Sequence, residues 1–408
     1  MSEPLGVAYL TGLFARSSDT FIRQEVNQLR RLGIDVRTFS IRRPDAGPDV
    51  DADVLAHQRD TEYLLEAGPV GLLAAMTGET LRRPLAALRT ARLAWKTRPP
   101  GLRGVLRQAV CLVESALLAK RLRQECIDLL HNHIGENSAT VAMLASEWSG
   151  VPFSLTIHGP GIFFAPEWWA LGDKLSRAAF TACITDYCRS QCMVFTPPEA
   201  WPRLHVVRCA VPEAFLEEEP STTPPANPPT FVCVGRLCPE KAQRLLVEAA
   251  AALASDGHAF RVVLIGDGPD RAMLESVANE LGVASLVEFA GWGSSADVHR
   301  RLRAARALVS CSFAEGLPIV LMEAYAAGCP VIATRIAATY ELVESNATGW
   351  LIPPADTAAL TDALRAALEA PAEQLAAYAT EGRRRVEERH HPAKQAERLA
   401  ELMRSPSF

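Results

Sequence analysis

Short apolar runs, turn residues and amphipathic stretches alternate along most of this chain. Val7 to Leu10 and Val36 to Ile41 read as strands, and Phe21 to Leu32 between them carries apolar residues at helical spacing. Further strands are expected at Ile127 to His131, Pro152 to Ile157 and Leu204 to Val207. Residues 217–229, EEEPSTTPPANPP, are acidic, proline-rich and nearly free of large apolar side chains, which predicts an exposed linker. Beyond it the rhythm restarts, with strands expected at Phe231 to Val234, Val262 to Ile265, Val287 to Phe289, Ala307 to Ser310 and Pro330 to Ala333. Strands alternating with helices imply parallel sheets covered on both faces. The expected fold class is therefore α/β, with two doubly wound domains. Ligands of such sheets bind beyond the carboxyl ends of the strands, which predicts a cleft between the halves. The tail, about 372–403, reads as charged helix that either caps the second domain or returns to the first.

Composition narrows the function classes. The 408 residues carry a net charge of -5, which disfavours a general nucleic-acid binder. Ten cysteines are scattered without a disulfide framework, as expected of reduced thiols in a cytoplasmic protein. Cys183, Cys188 and Cys192 have a spacing that suits one face of a helix better than a zinc knuckle, so no metal site is assigned. The start, MSEPLGVAYL, lacks the basic region of a signal peptide. No apolar run reaches the roughly 18 residues of a membrane span. The stretch 82–123 stands apart, with eleven Lys and Arg against the single carboxylate of Glu114. It reads either as solvated helix faces or as a peripheral contact with an anionic membrane or a lipid-phosphate acceptor.

Three segments carry candidate chemistry. In FAEGLPIVLMEAYAAGCPVIAT, residues 313–334, Glu315 precedes a turn through Gly316, Leu317 and Pro318 into a helix that contains Glu323. Free N–H groups at that helix start, around Ile319, suit phosphate or sugar oxygens. The two carboxylates can each grip vicinal hydroxyls, one pair on a sugar and one on a ribose. In VCVGRLCPEK, residues 232–241, a strand ends at Gly235 and the cations Arg236 and Lys241 follow, a pattern suited to a pyrophosphate. In the first half, His158 with Gly159 and Pro160 closes an expected strand, where ligands bind. Gly266 and Gly268 let backbone approach a ligand, but the third glycine of a dinucleotide fingerprint is missing.

These motifs resemble retaining glycosyltransferase family 4. Glu315-Gly316-Leu317-Pro318 with Glu323 resembles its E-x7-E region, and Gly235-Arg236-Leu237 with Glu240-Lys241 its G-R-L-x-x-E-K stretch. His131 to Gly135, Asn137 to Thr140, Thr156 to Pro160, and Thr20 to Ile22 with Glu25 are similar to the bacterial branch that builds exopolysaccharides such as colanic acid. Two departures stand out. Arg16-Ser17-Ser18-Asp19 replaces the paired glycines many members place under the diphosphate, and the loop after Pro160 lacks acidic residues.

The resemblance implies a GT-B fold of two Rossmann-like domains facing a central cleft. Residues 1–214 would form the acceptor side, with a C-terminal helix about 388–408 packing back on it, and residues 215–387 would bind the nucleotide sugar. Arg236 and Lys241 would hold the diphosphate and Glu323 the ribose. Glu315 and the backbone from Gly316 to Ile319 would hold the transferred sugar, and His158 would sit beside it. Gly266 to Gly268 and Trp292 would lie near the nucleobase. The implied reaction is metal-independent hexosyl transfer from a UDP- or GDP-sugar to a glycan or polyprenyl-diphosphate-linked acceptor, without a cofactor and at the inner face of the membrane. A phosphorylase, an epimerase and an inactive scaffold subunit of a polysaccharide assembly are the competing readings.

Overall fold

The structure is a computed structural model that describes residues 4–16, 20–44, 52–218 and 227–405. Two compact units emerge: Met1–Arg208 together with Pro392–Phe408, and Cys209–His391. Residues 219–226 of the expected linker, and residues 17–19 of the loop noted above, lie outside the described residues.

The N-terminal unit is built on seven parallel strands. They are β1 (Gly6–Leu13), β2 (Asp35–Arg42), β3 (Thr61–Tyr63), β4 (Leu129–His133), β5 (Phe153–Ile157), β6 (Thr181–Cys183) and β7 (Leu204–Val206). Their order is β3-β2-β1-β4-β5-β6-β7. The central strands are apolar because helices cover both faces: every residue of β4 and β5 is buried. Helix α1 (Thr20–Arg31) connects β1 and β2. Between β3 and β4 come α2 (Gly68–Arg82), α3 (Pro84–Lys96) and α4 (Gly101–Gln124), and α5 (Asn137–Ser149) follows β4.

The C-terminal unit has six parallel strands in the order β10-β9-β8-β11-β12-β13. They are β8 (Thr230–Val234), β9 (Arg261–Ile265), β10 (Val287–Gly291), β11 (Ala307–Ser310), β12 (Val331–Thr334) and β13 (Gly349–Ile352). Helix α6 (Ile319–Ala326) follows β11. Residues 209–214, assigned above to the first half, pack with this unit: Val211 N–H donates to His390 O at 3.1 Å, and His390 Nδ1 lies 2.8 Å from Cys209 O.

Every strand read from the pattern is present. The start of β4 lies two residues later than expected, because Ile127 and Asp128 belong to the connection that follows the turn at Glu125 and Cys126. β3, β6 and β13 escaped the reading. Each has only three or four residues, and its pairing with a neighbouring strand defines it. The thiol cluster also differs from expectation: Cys183 ends β6, while Cys188 and Cys192 lie on the helix Asp186–Val194. A strand end and a helix, rather than one helix face, bring the three sulfurs within 4.8 Å of one another.

The last helix, α7 (Pro392–Arg404), returns to the N-terminal unit. Ala396, Leu399, Ala400 and Met403, at helical spacing, are buried in the same core as Ile22, Val26 and Leu29 of α1. Arg404 Nη2 donates to Leu32 O at 3.0 Å. Removing three carbons from a fully buried leucine costs about 2–5 kcal/mol. Leu399→Ala is therefore expected to lower stability by that energy and with it the urea midpoint, and an unchanged midpoint would show that α7 adds nothing to this core.

Candidate active site

In an open parallel sheet, the connections diverge to either side of a central strand and leave a crevice at the carboxyl ends. In the C-terminal unit that switch point lies between β8 and β11. The loops after these two strands carry the charged motifs. Lys241 Nζ donates to Glu315 Oε1, and Ser312 Oγ donates to the same oxygen at 2.8 Å. The backbone holds the two loops together, because Phe313 N–H donates to Glu240 O at 2.8 Å. Lys241 and Glu315 are both part-buried, while Arg236 is exposed. No side chain caps the start of α6, so its first N–H groups project beside Gly316 to Ile319. Leu317 and Pro318 are buried and anchor that turn.

Gly266 and Gly268 have a packing role. A Cβ at Gly266 would lie 2.1 Å from Gly235 O, and one at Gly268 would lie 2.3 Å from Leu237 O. The loop after β9 closes directly on the loop after β8, with Gly235 N–H donating to Ile265 O at 2.9 Å and Leu237 N–H to Asp267 O at 3.0 Å. The backbone these glycines approach is therefore the neighbouring loop, which holds Arg236 in place. Trp292, at the end of β10 beside this turn, leaves 70% of its surface exposed. Glu323, the fifth residue of α6, keeps a partly exposed edge, and burial pushes its carboxyl up to about 7.

The N-terminal unit has its own switch point, between β1 and β4. A chain of side chains spans it. Tyr9 Oη donates to Glu25 Oε1 at 2.6 Å, and that oxygen lies 2.9 Å from His133 Nε2. His133 Nδ1 lies 3.0 Å from His158 Nε2, and the two rings stack at 5.2 Å. His158 follows β5 directly and is half-buried, with Phe21 5.0 Å from its ring centre. The carboxylate and nitrogen atoms of Glu25, His131 and His133 converge within 4.8 Å. Both nitrogens of His131 are already engaged, by Ser154 Oγ at 2.8 Å and Thr156 Oγ1 at 2.9 Å, so the cluster reads as a hydrogen-bonded network rather than a ligand set.

The comparisons with known proteins agree with this geometry. Residues 215–385, nearly the whole C-terminal unit, match the family model described as glycosyl transferases group 1. The putative colanic acid biosynthesis glycosyltransferase WcaL of Escherichia coli (strain K12) is 26% identical over 395 residues, covering 92% of this chain and 93% of that protein. The alpha-D-kanosaminyltransferase of Streptomyces kanamyceticus is 27% identical, covering 62% of this chain and 71% of that protein. Among solved structures, Anabaena HepE in complex with UDP superposes with a TM-score of 0.72 at 16% identity, covering 98% of this chain and all of that one. Sucrose-phosphate synthase from Thermosynechococcus elongatus gives 0.74 at 18% identity, with 98% of each chain covered. The chain is a GT-B glycosyltransferase.

In this glycosyltransferase the buried network of the N-terminal unit sets protonation states. Burial raises the Glu25 carboxyl, but the adjoining His133, hydrogen bonds from His133 and Tyr9, and His158 outweigh it and hold the group below its ordinary value. Burial, reinforced by the Glu25 charge, raises the Tyr9 phenol well above its usual range, so Tyr9 stays a neutral donor. Burial, and then the neighbouring His133, push His158 down to about 3. His133 thus bridges Glu25 and His158, with one ring nitrogen turned to each.

Sequence reading singled out His158. It reached Glu25 and His133 only through family resemblance, and it missed Tyr9. A signal was present, because His131 and His133 are two apart on a strand and therefore share a face. An ordinary unfolded histidine protonates near pH 6.5. The folded chain keeps His158 neutral down to about 3, so the unfolded state binds more protons within that window. This group's contribution to stability accordingly falls as the pH drops from about 6.5 towards 3. In nitrogen-15 NMR, the His158 ring is expected to show no titration between pH 8 and 5, as one tautomer. Glu25→Gln is expected to mix the two tautomers. A midpoint near 6.5 in the unsubstituted protein would refute the assignment.

Proposed function

We propose that this glycosyltransferase moves a hexose-type sugar from a UDP- or GDP-sugar to a glycan or lipid-linked acceptor, with retention of configuration, in bacterial surface polysaccharide biosynthesis. The observation that carries the reading is the Lys241–Glu315–Ser312 cluster at the β8/β11 switch point, beside the uncapped start of α6. The likeness to WcaL supports the polysaccharide context, and the UDP complex of HepE supports a nucleotide donor.

In this reading Arg236, Lys241 and the free N–H groups of α6 neutralise the diphosphate as it departs, a stabilisation aimed at charge that develops in the transition state. These cations and dipoles supply the positive charge, so the proposal requires no metal. Glu315, with Gly316 to Ile319, binds hydroxyls of the transferred sugar. Glu323 binds the ribose, and Trp292 flanks the base. His158 contributes a neutral imidazole to the transfer step. The bond from the anomeric carbon to the leaving phosphate oxygen breaks. The acceptor oxygen then bonds to that carbon on the same face, and its proton passes to the leaving phosphate. Configuration is thereby retained without a covalent intermediate.

UDP, GDP and their sugars, screened without metal by thermal shift and calorimetry, are expected to include one stabilising nucleotide family, and Lys241→Ala should abolish the effect. Lys241→Ala and Glu315→Ala should each lower turnover at least about tenfold, equivalent to ~1.4 kcal/mol of transition-state stabilisation. Near-normal turnover in both would remove the proposed donor site. Burial pushes the Glu323 carboxyl up to about 7. Ribose hydroxyls donate to the carboxylate form, so nucleotide binding at pH 6 is expected to expel its proton. The binding enthalpy should then vary with the ionisation enthalpy of the buffer, and Glu323→Gln should erase that dependence. Equal enthalpies in all buffers would exclude Glu323 from the ribose site.

A further inference from the structure

Large apolar side chains exposed to water are concentrated on three consecutive helices of the N-terminal unit. On α2 these are Val70, Leu73 and Leu81; on α3, Leu85, Leu88 and Trp95; on α4, Leu102, Leu106 and Val110. Each is at least half exposed, up to 83% for Val70. They account for nine of the nineteen exposed large apolar side chains among the described residues, although these helices hold only a fraction of the chain. Within each helix they recur at intervals of three, four, seven or eight residues, so each helix presents one apolar stripe outward. The opposite faces are already used: Ala75 of α2, Leu93 of α3 and Cys111 of α4 are buried. The three helices pack against one another, so their stripes belong to one region. Exposed apolar surface on this scale marks a site of contact rather than ordinary solvent-facing surface.

The charges in and around the stripes identify the partner. Arg82, Arg92 and Arg103 are exposed, lie next to or between the apolar positions, and have no ion-pair partner among the described residues. The only carboxylates between residues 68 and 124 are Glu79 and Glu114, and both are buried. The Arg98 guanidinium lies 3.7 Å from the centre of the exposed Trp95 ring, an apolar body with a charged rim. A second copy of the chain on this surface would bring like charges together. An anionic lipid surface supplies both a neutral interior for the stripes and phosphate for the guanidinium groups. No helix among the described residues is long and apolar enough to cross a membrane, so the contact is one of helices lying in the headgroup layer.

This surface also adjoins the segment that follows His158. Arg107 of α4 sits 4.7 Å over Trp169, and Lys96 of α3 pairs with Asp173 at 2.8 Å. Between His158 and these residues, Phe164 leaves 74% of its surface exposed and Trp168 is also exposed. We propose that α2–α4 form a docking surface for anionic membranes, and that the aromatic loop 161–170 beside it receives an acceptor held on a lipid anchor. The acceptor clause rests on the glycosyl-transfer reading, while the docking clause stands without it.

The test is co-sedimentation of the full chain with vesicles of phosphatidylcholine alone and of phosphatidylcholine mixed with phosphatidylglycerol. Binding is expected with the anionic vesicles and to weaken with salt. Each cation near such a surface contributes about fivefold in affinity, so reversing Arg82, Arg92 and Arg103 to Glu should lower it by about two orders of magnitude or more. The double substitution Leu88→Ser with Trp95→Ser should lower it at least about tenfold. These positions are exposed, and unchanged nucleotide-induced thermal shifts in both variants would confirm that the fold and donor site survive. Equal binding to both vesicle types, or none to either, would overturn the proposal. So would a dimer that the serine variant converts to monomer without any vesicle binding. Vesicle binding by a chain that binds no nucleotide would uphold docking and sink the transfer reading instead.

Discussion

Parallel strand pairing is the constraint from which the rest of this molecule follows. A parallel pair cannot be closed by a tight hairpin, so each strand must be followed by a crossover before the next begins. All strands of a sheet then end on the same edge. In both units the connections diverge from a central strand, β1 in one and β8 in the other, and the two resulting switch points collect the polar side chains. The strands themselves are apolar because they are covered on both faces, so polar groups at their carboxyl ends stand out against the interior.

The two switch points handle charge differently. In the C-terminal unit the groups are part-buried and paired, with Glu315 between Lys241 and Ser312, and a ligand phosphate would meet cations already in position. In the proposed transfer, preorganisation of this kind would spare the reaction the cost of gathering those groups when charge develops. In the N-terminal unit burial dominates. One carboxylate, Glu25, is kept ionised by its neighbours, while the Tyr9 phenol and the His158 imidazole are kept neutral. A network of this sort is stable only if every member has a partner, because an unpaired polar group is costly at such depth.

The helices between β3 and β4 obey neither logic. They bury modest faces against one another and leave leucines, valines and a tryptophan in water. Their basic character was visible in composition, but the apolar character of the exposed faces was not. Leu88 and Leu93 look alike in sequence, yet Leu88 is half exposed and Leu93 is buried, and only the packing of α3 separates them.

Much of the fold was legible in the chain. Strand and helix periods, the turn chemistry around Gly235 and Gly316, and the restart of the rhythm after residue 229 depend on neighbours within a few residues, so local sequence determines them. The candidate donor motifs were legible for the same reason. The pairing of Lys241 with Glu315, 74 residues apart, was not, since it depends on β8 and β11 being neighbours in the sheet. The mutual closure of the loops at Gly235 and Gly266, the short strands β3, β6 and β13, and the chain from Tyr9 through Glu25 and His133 to His158 were likewise decided by topology. Sequence determined which residues form strands, turns and helix starts, because those preferences are local. Tertiary structure decided which side chains meet and which remain exposed, because burial and hydrogen bonding over long separations arise only when the sheets assemble.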